Sequence, residues 1–176
     1  MSPKLQSRTK AKPIGFMSMS FLERTDFDAL AHRFKVQLFN SVVGHKNACL
    51  IATENQVKQS NLAIFNSLVH IGSSPPLLGV IFRPDSVERH TYENILETKS
   101  YTVNLISEKD IASAHQTSAR YPRTESEFKV TSLAAAYKDG FHAPYVESSP
   151  ISFGLEFREN IPLEINGTNL VIGEVK

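Results

Sequence analysis

The sequence predicts a mainly β domain with helices, a small barrel decorated by them rather than a series of βαβ units. Three observations carry that expectation. Short apolar or alternating runs of strand length recur from Ala48 onward, at 48–53, 61–71, 77–82, 101–105, 151–157, 163–165 and 170–172. Tight-turn chemistry punctuates them, most clearly at Pro75-Pro76 and Asn166-Gly167. Helical three- and four-residue apolar spacing is confined to a few stretches, whereas βαβ units would set a helix between each pair of parallel strands.

Length and composition agree with one folded domain. At 176 residues the chain can bury a core without disulfides or a structural metal. Apolar content of 41% and charged content of 21% are those of an ordinary globular protein. A net charge of +1 gives no global basic field for nucleic acid or a membrane surface. The one cysteine, Cys49, lies between apolar residues and reads as a small buried hydrophobe; it provides no disulfide framework and fits a reducing cytoplasm. No apolar run approaches the ~18 residues of a membrane helix. Residues 1–20 are basic without the apolar stretch of a signal peptide. They read as a disordered arm or an expression remnant, leaving a single domain over 21–176.

Element by element, Thr25 to Val43 is expected to be one helix. Phe27, Leu30, Ala31, Phe34 and Leu38 share a face, Thr25 stands where a cap would, and Gly44 stops it. Ala48 to Thr53 reads as a buried strand and Glu54 to Gln59 as its turn, without the expected glycine. Asn61 to Ile71 reads as one strand region, although its apolar spacing fits neither period cleanly. Pro75-Pro76 bounds it, and Leu77 to Phe82 is a further buried strand. Thr91 to Lys99 is a helix with Tyr92, Ile95 and Leu96 on one face, and Tyr101 to Leu105 a strand with one wet face. Asp110 to Ala119 reads as a helix capped by Asp110, and Val130 to Tyr137 as one or two helical turns. Ile151 to Phe157 alternates as a strand, and Asn166-Gly167 joins a hairpin through a type I′ turn.

Several searches for chemistry return nothing. There is no Gly-x-Gly-x-x-Gly run, Walker loop, Gly-x-Ser-x-Gly elbow, CxxC or HExxH, and the six histidines have no ligand spacing. His70 reads as a core histidine and His115 as a surface one. No catalytic residue and no metal ligand is assigned. The informative cluster is Arg83-Pro-Asp-Ser-Val-Glu-Arg89-His90-Thr91, two guanidiniums leading into a helix N-terminus. Unpaired N–H groups, the helix dipole and forked cations suit a phosphate. The bland alternative stands beside it: Thr91 caps the helix, and the arginines pair with Glu88 and Glu93 on a solvated loop. The second signal is Ser60 to Ser67, where small residues and amides beside Phe65 would let backbone groups meet a ring edge; an ordinary core strand is the alternative. Together the two suit a flat aromatic ligand with a phosphate tail.

The order of these motifs resembles the flavin reductase-like family, which includes flavoredoxin and the small reductase components of two-component monooxygenases. The likeness rests on Asn61-x-Ala63-x-Phe65-Asn66-Ser67, Pro75-Pro76, Arg89-x-Thr91-x-x-Asn94-Ile95, Tyr101-x-Val103-Asn104-Leu105 and Ser126-Glu127-Phe128. It runs from about Asn40 to the C-terminus. The resemblance implies an FMN-binding split β-barrel and a homodimer. It implies that Ser60, Asn61, Leu62, Ala63, Phe65 and Asn66 line the flavin ring and ribityl chain, and that Arg83, Arg89, His90 and Thr91 hold the phosphate. Similar proteins often carry Asp at His90, Pro at Ile64 and Gly near Lys58, and continue beyond Lys176 as a strand.

The implied activity is hydride transfer from NADH or NADPH to FMN, with a monooxygenase or another electron acceptor downstream. Such chemistry asks the protein to position rings rather than to supply a nucleophile, in keeping with the missing catalytic motif. Two other readings share the pocket or the fold: a non-enzymatic FMN electron-transfer protein and a flavin-free split-barrel interaction domain.

Overall fold

The computed structural model describes residues 24–84 and 87–176, so the basic arm expected over 1–20 lies outside it. The chain divides into two compact units, Met1–His45 and Lys46–Lys176. In the first unit, the single helix expected over Thr25–Val43 is two, α1 (Arg24–Ala29) and α2 (His32–Val42). Ala31 between them is extended, at φ −57° and ψ 140°, and Thr25 lies within α1 rather than capping it. The break has a packing reason. The Phe27 and Phe39 rings meet edge-on at 5.2 Å, whereas a straight helix would hold residues twelve apart about 18 Å from each other. Lys35 closes the corner, its Nζ donating to the Asp28 carbonyl at 2.6 Å and lying 5.3 Å from the Phe27 ring centroid.

The second unit is built on one antiparallel sheet. Its strands are β1 (Cys49–Glu54), β2 (Ser60–Phe65), β3 (Leu68–Ser73), β4 (Pro76–Phe82), β5 (Ser100–Leu105), β8 (Ser152–Leu163) and β9 (Thr168–Val175), in the order β2-β1-β5-β8-β9-β4-β3. β6 (Ala135–Ala136) and β7 (Tyr145–Val146) form a separate two-stranded ladder. The helices are α3 (His90–Thr98), α4 (Ile111–Gln116) and α5 (Glu127–Val130). The sheet curls on itself: Phe65 of β2 and Phe82 of β4 lie far apart in strand order, yet their rings meet at 5.0 Å. Its end strands β2 and β3 do not pair, so the barrel is split rather than closed.

Strand alternation produces two apolar clusters. Cys49 and Ile51 of β1, with Tyr101 and Val103 of β5, face the barrel interior with Val80, Phe82, Leu155, Val171 and the Tyr92–Ile95 face of α3. Leu50 and Ala52 face the other way, against Leu62, Ala114, Leu133 and Val146. Cys49 is therefore a core residue, and burial pushes its thiol up to about 12.

Several expectations are corrected by packing. The run 61–71 is two strands, because the chain turns at Asn66-Ser67, where Ser67 Oγ donates to the Ile81 carbonyl at 2.9 Å. β5 has no wet face. Thr102 and Asn104 are fully buried under the β7 segment, with Thr102 Oγ1 donating to the Pro144 carbonyl at 2.6 Å and Asn104 Oδ1 accepting from Val146 N–H at 3.0 Å. The 130–137 stretch is not helical as a whole. Helix ends at Val130, and Ala135-Ala136 pairs with β7. The helix expected from Asp110 to Ala119 is a 3-10 turn (Glu108–Asp110) followed by the short α4, and Asp110 bonds Ser107 Oγ rather than capping through its side chain. β8 runs on past Phe157 through a bulge to Leu163. The β8–β9 connection is a four-residue loop in which Gly167 alone has positive φ, 71°, and Asn166 Oδ1 accepts from Thr168 N–H at 3.1 Å, so it is not a type I′ turn.

Candidate functional site

The β1–β2 turn comes first. Asn55 Oδ1 accepts from Val57 N–H at 3.1 Å and Gln59 N–H at 2.8 Å, an Asx turn that closes the loop through a side chain. Lys58 takes the left-handed place, φ 64°, where the sequence lacks a glycine. Buried Glu54 holds the turn from below, accepting from Lys58 Nζ at 2.9 Å and from Tyr137 Oη at 2.6 Å. Burial, then Glu54, pushes the Tyr137 phenol up to about 12.

β2 leaves this turn as an edge strand, and the Ser126-Glu127-Phe128 motif covers its open side. Ser126 Oγ lies 2.9 Å from Ser60 Oγ, and Glu127 Oε2 accepts from Leu62 N–H at 2.8 Å. Phe128 packs against the second apolar cluster. Burial raises the Glu127 carboxyl above the usual range, while the Leu62 N–H and the charge of His90 act in the opposite sense. The Leu62 amide is thus engaged by Glu127. The Leu62 side chain is core, and the Phe65 ring packs on Phe82. Ala63 is half-buried on the strand, and Asn66 is exposed beyond its end.

α3 brings the second half of the site. It starts at His90, so Thr91 lies in the first turn rather than at the cap, and Arg89, at the cap position, makes no side-chain cap bond. Instead Glu93 Oε1 accepts from Arg89 N–H at 2.9 Å, a side-chain acceptor one turn along that occupies the N–H of the cap residue. Asn61 Nδ2 donates to Thr91 Oγ1 at 2.8 Å, joining β2 to the start of α3. One turn further along, Asn94 Nδ2 donates to Thr53 Oγ1 at 3.0 Å, and Arg123 Nη1 donates to Asn94 Oδ1 at 3.2 Å. Arg123 also pairs with Glu93.

These groups surround a hollow of about 10 Å³, lined by Asn55, Gln59, Ser60, Asn61, His90, Asn94, Arg123 and Glu125. It has room for about one water, so a ring system would lie across its mouth. Ser60, Asn61 and His90 line it, and Thr91 stands behind Asn61. Arg83 and Arg89 are not among its lining residues: Arg83 is exposed, and Arg89 Nε donates to the Pro84 carbonyl at 3.3 Å. The bland alternative takes a different form: Thr91 lies inside the first turn, Glu88 sits 3.5 Å from His90, and Glu93 accepts the Arg89 backbone N–H and pairs with Arg123. A guanidinium, an imidazole and a helix start beside amides and hydroxyls form a donor set that fits a phosphorylated heteroaromatic ligand. Among the described residues no group of three acidic, histidine or cysteine side chains could hold a metal.

Sequence reasoning missed Asn55, Gln59, Asn94, Arg123 and Glu125 as site residues. Asn94 had a usable signal, lying three residues after Thr91 on one helix face. Arg123 had none, since it arrives from a loop 29 residues beyond Asn94.

Comparison with known proteins gives the same fold. The flavin reductase like domain matches residues 45–176. A Shewanella frigidimarina NCIMB 400 protein assigned as a flavin reductase with a split barrel domain superposes with a TM-score of 0.86 and 40% identity, covering 90% of this chain and 78% of that one. Nitrilotriacetate monooxygenase component B from Bacillus cereus has a TM-score of 0.78 at 20% identity, covering 91% of this chain and 80% of that one. Flavoredoxin of Desulfovibrio vulgaris (Miyazaki F) has a TM-score of 0.66 at 20% identity, covering 90% and 74%. At that identity the last two share the fold alone. An uncharacterised Aquifex aeolicus (strain VF5) protein is 26% identical over 116 residues, which is 65% of this chain and 58% of the length of that protein.

Proposed function

The chain belongs to the flavin reductase like domain family, and from that premise we propose that it binds FMN across the mouth of the hollow and passes hydride to it from NADH or NADPH. The observation that carries this reading is the Asn61–Thr91 hydrogen bond. It ties the strand proposed as the ring shelf to the helix start proposed as the phosphate anchor, so both ends of one ligand meet one hollow. Ser60, Asn61 and the backbone of Ala63 would hold the ring side, and Phe65 would back it through the core. His90, Thr91 and the N–H groups of α3 would hold the phosphate, with Arg83 and Arg89 approaching from their loop. Flavin, when bound, supplies the hydride chemistry at N5. The chain's own residues bind, orient and exclude water.

The remaining assignments follow from the same reading. β3 is an edge strand with Val69 and Ile71 about 40% exposed, and a half-apolar open edge supports a homodimer. A monooxygenase component or another electron acceptor would take the reduced flavin. A single buried thiol supports a cytoplasmic setting. No helix among the described residues is long and apolar enough to cross a membrane.

The test is an absorbance spectrum of the purified protein with added FMN, followed by anaerobic mixing with NADH and then NADPH. Bound FMN bleached by a nicotinamide is the expected result. Bound FMN bleached only by dithionite would leave an electron carrier, and absence of flavin binding would remove the reading.

A further inference from the structure

Among the described residues, the one guanidinium lining the hollow comes from Arg123, not from the arginine cluster that precedes α3. Its placement is built rather than incidental. Arg123 lies in a turn closed by Glu125 N–H donating to the Pro122 carbonyl at 2.9 Å. One end of its fork donates to Asn94 Oδ1, and Asn94 is 2% exposed and anchored on Thr53 of β1. The other end meets the Glu93 carboxylate, in a pair whose side chains are 35% and 43% exposed. An ion pair that open to water is weak and easily exchanged. The Asn94 end is rigid, so the guanidinium can change anions without changing its aim. A phosphate monoester offers that fork more acceptor oxygens and more charge than a carboxylate does. Glu125 lines the same hollow and Glu93 stands against Arg123, so without the guanidinium both would meet an incoming phosphate with like charge.

We propose that Arg123 makes this site prefer a phosphorylated flavin over its dephospho form, by exchanging Glu93 for the ligand phosphate while Asn94 keeps the guanidinium in place. The inference rests on the flavin reading above and names the group that reads the phosphate.

The experiment titrates ligand-stripped protein with FMN and with riboflavin by flavin fluorescence, for the wild type, Arg123→Ala, Arg123→Gln and Glu93→Gln, each checked for folding by circular dichroism. Arg123→Ala is expected to weaken FMN about 10- to 100-fold and to leave riboflavin unchanged, the scale of a lost charge-assisted bond. Arg123→Gln, which keeps a donor for Asn94, should do the same and carries the test if the alanine variant does not fold. Glu93→Gln should tighten FMN about 2- to 10-fold by removing the competing carboxylate, a gain that a purely structural role would not produce. An unchanged FMN-to-riboflavin ratio in the Arg123 variants overturns the inference and leaves the flavin reading intact. A raised KM for NADH with that ratio unchanged would assign Arg123 to a dinucleotide phosphate instead, and also overturns it. A wild type that binds neither flavin removes the flavin reading and this inference with it.

Discussion

Glu127 is 6% exposed, and its carboxylate accepts the Leu62 N–H on the open side of edge strand β2. The folded protein holds the Glu127 proton more tightly than the unfolded chain does, because burial disfavours the charge. That contribution to stability is complete below the unfolded carboxylate range and is lost as pH rises through the folded value. Glu127→Gln keeps an acceptor for Leu62 and carries no charge. The variant should therefore gain on the wild type as pH rises from about 4 to 8, measured as the difference in denaturant midpoints; a difference flat across that range would show that the charge is not penalised. Asn94→Ala should cost about 1–3 kcal/mol in urea unfolding, since it leaves buried Thr53 without its donor. At this scale the sequence marked residues by local motif: Ser60, Asn61, His90 and Thr91 each lie in one, and the structure sets the first three on one hollow with Thr91 behind Asn61. No motif marks Arg123, which reaches Asn94 because the 121–128 segment folds over β2.

Elements were legible when their own pattern decided their packing. The Tyr92–Ile95–Leu96 face of α3 and the inward Tyr101-Val103-Leu105 side of β5 pack in the barrel core as their periods require. The polar side of β5 was misread because alternation separates two faces without saying what covers each. Thr102 and Asn104 face protein backbone rather than water. Lys58 in the left-handed region shows the same limit, since its turn is closed by Asn55 and Glu54. Close approach between elements was also invisible. A Cβ at Gly173 of β9 would run into the Tyr101 hydroxyl, on a ring with no exposed surface into which it could swing. Gly173→Ala is expected to destabilise by about 1–3 kcal/mol, read from the urea midpoint at constant slope. An unchanged midpoint would mean that the β5–β9 contact is loose.

For the molecule as a whole, the unit Lys46–Lys176 holds both apolar clusters, the sheet and every residue of the hollow. A chain beginning at Lys46 is expected to unfold in one cooperative transition and to bind FMN with the affinity of the full chain. Calorimetry and a flavin titration check this together, and a broad transition with no binding would show that the second unit is not self-sufficient. The split between β2 and β3 leaves two strand edges, and they are treated differently. Ser126 and Glu127 cover β2, while β3 keeps exposed apolar residues. If the β3 edge is the dimer contact, Val69→Lys should shift the protein toward monomer in light scattering, and a dimer unaffected by that charge would place the contact elsewhere.

By itself the sequence determined the class of the fold and marked two segments, the start of β2 and the start of α3, that meet at one hollow. Strand-length runs, turn residues and a helix start are local properties, and short-range sterics and hydrophobic periodicity write them directly into residue order. Tertiary structure alone decided that the long N-terminal pattern breaks into two helices, that β5 is wet on neither side, and which guanidinium faces the hollow. Those outcomes depend on contacts between residues far apart in the chain, and no local period records where a distant loop will come to rest.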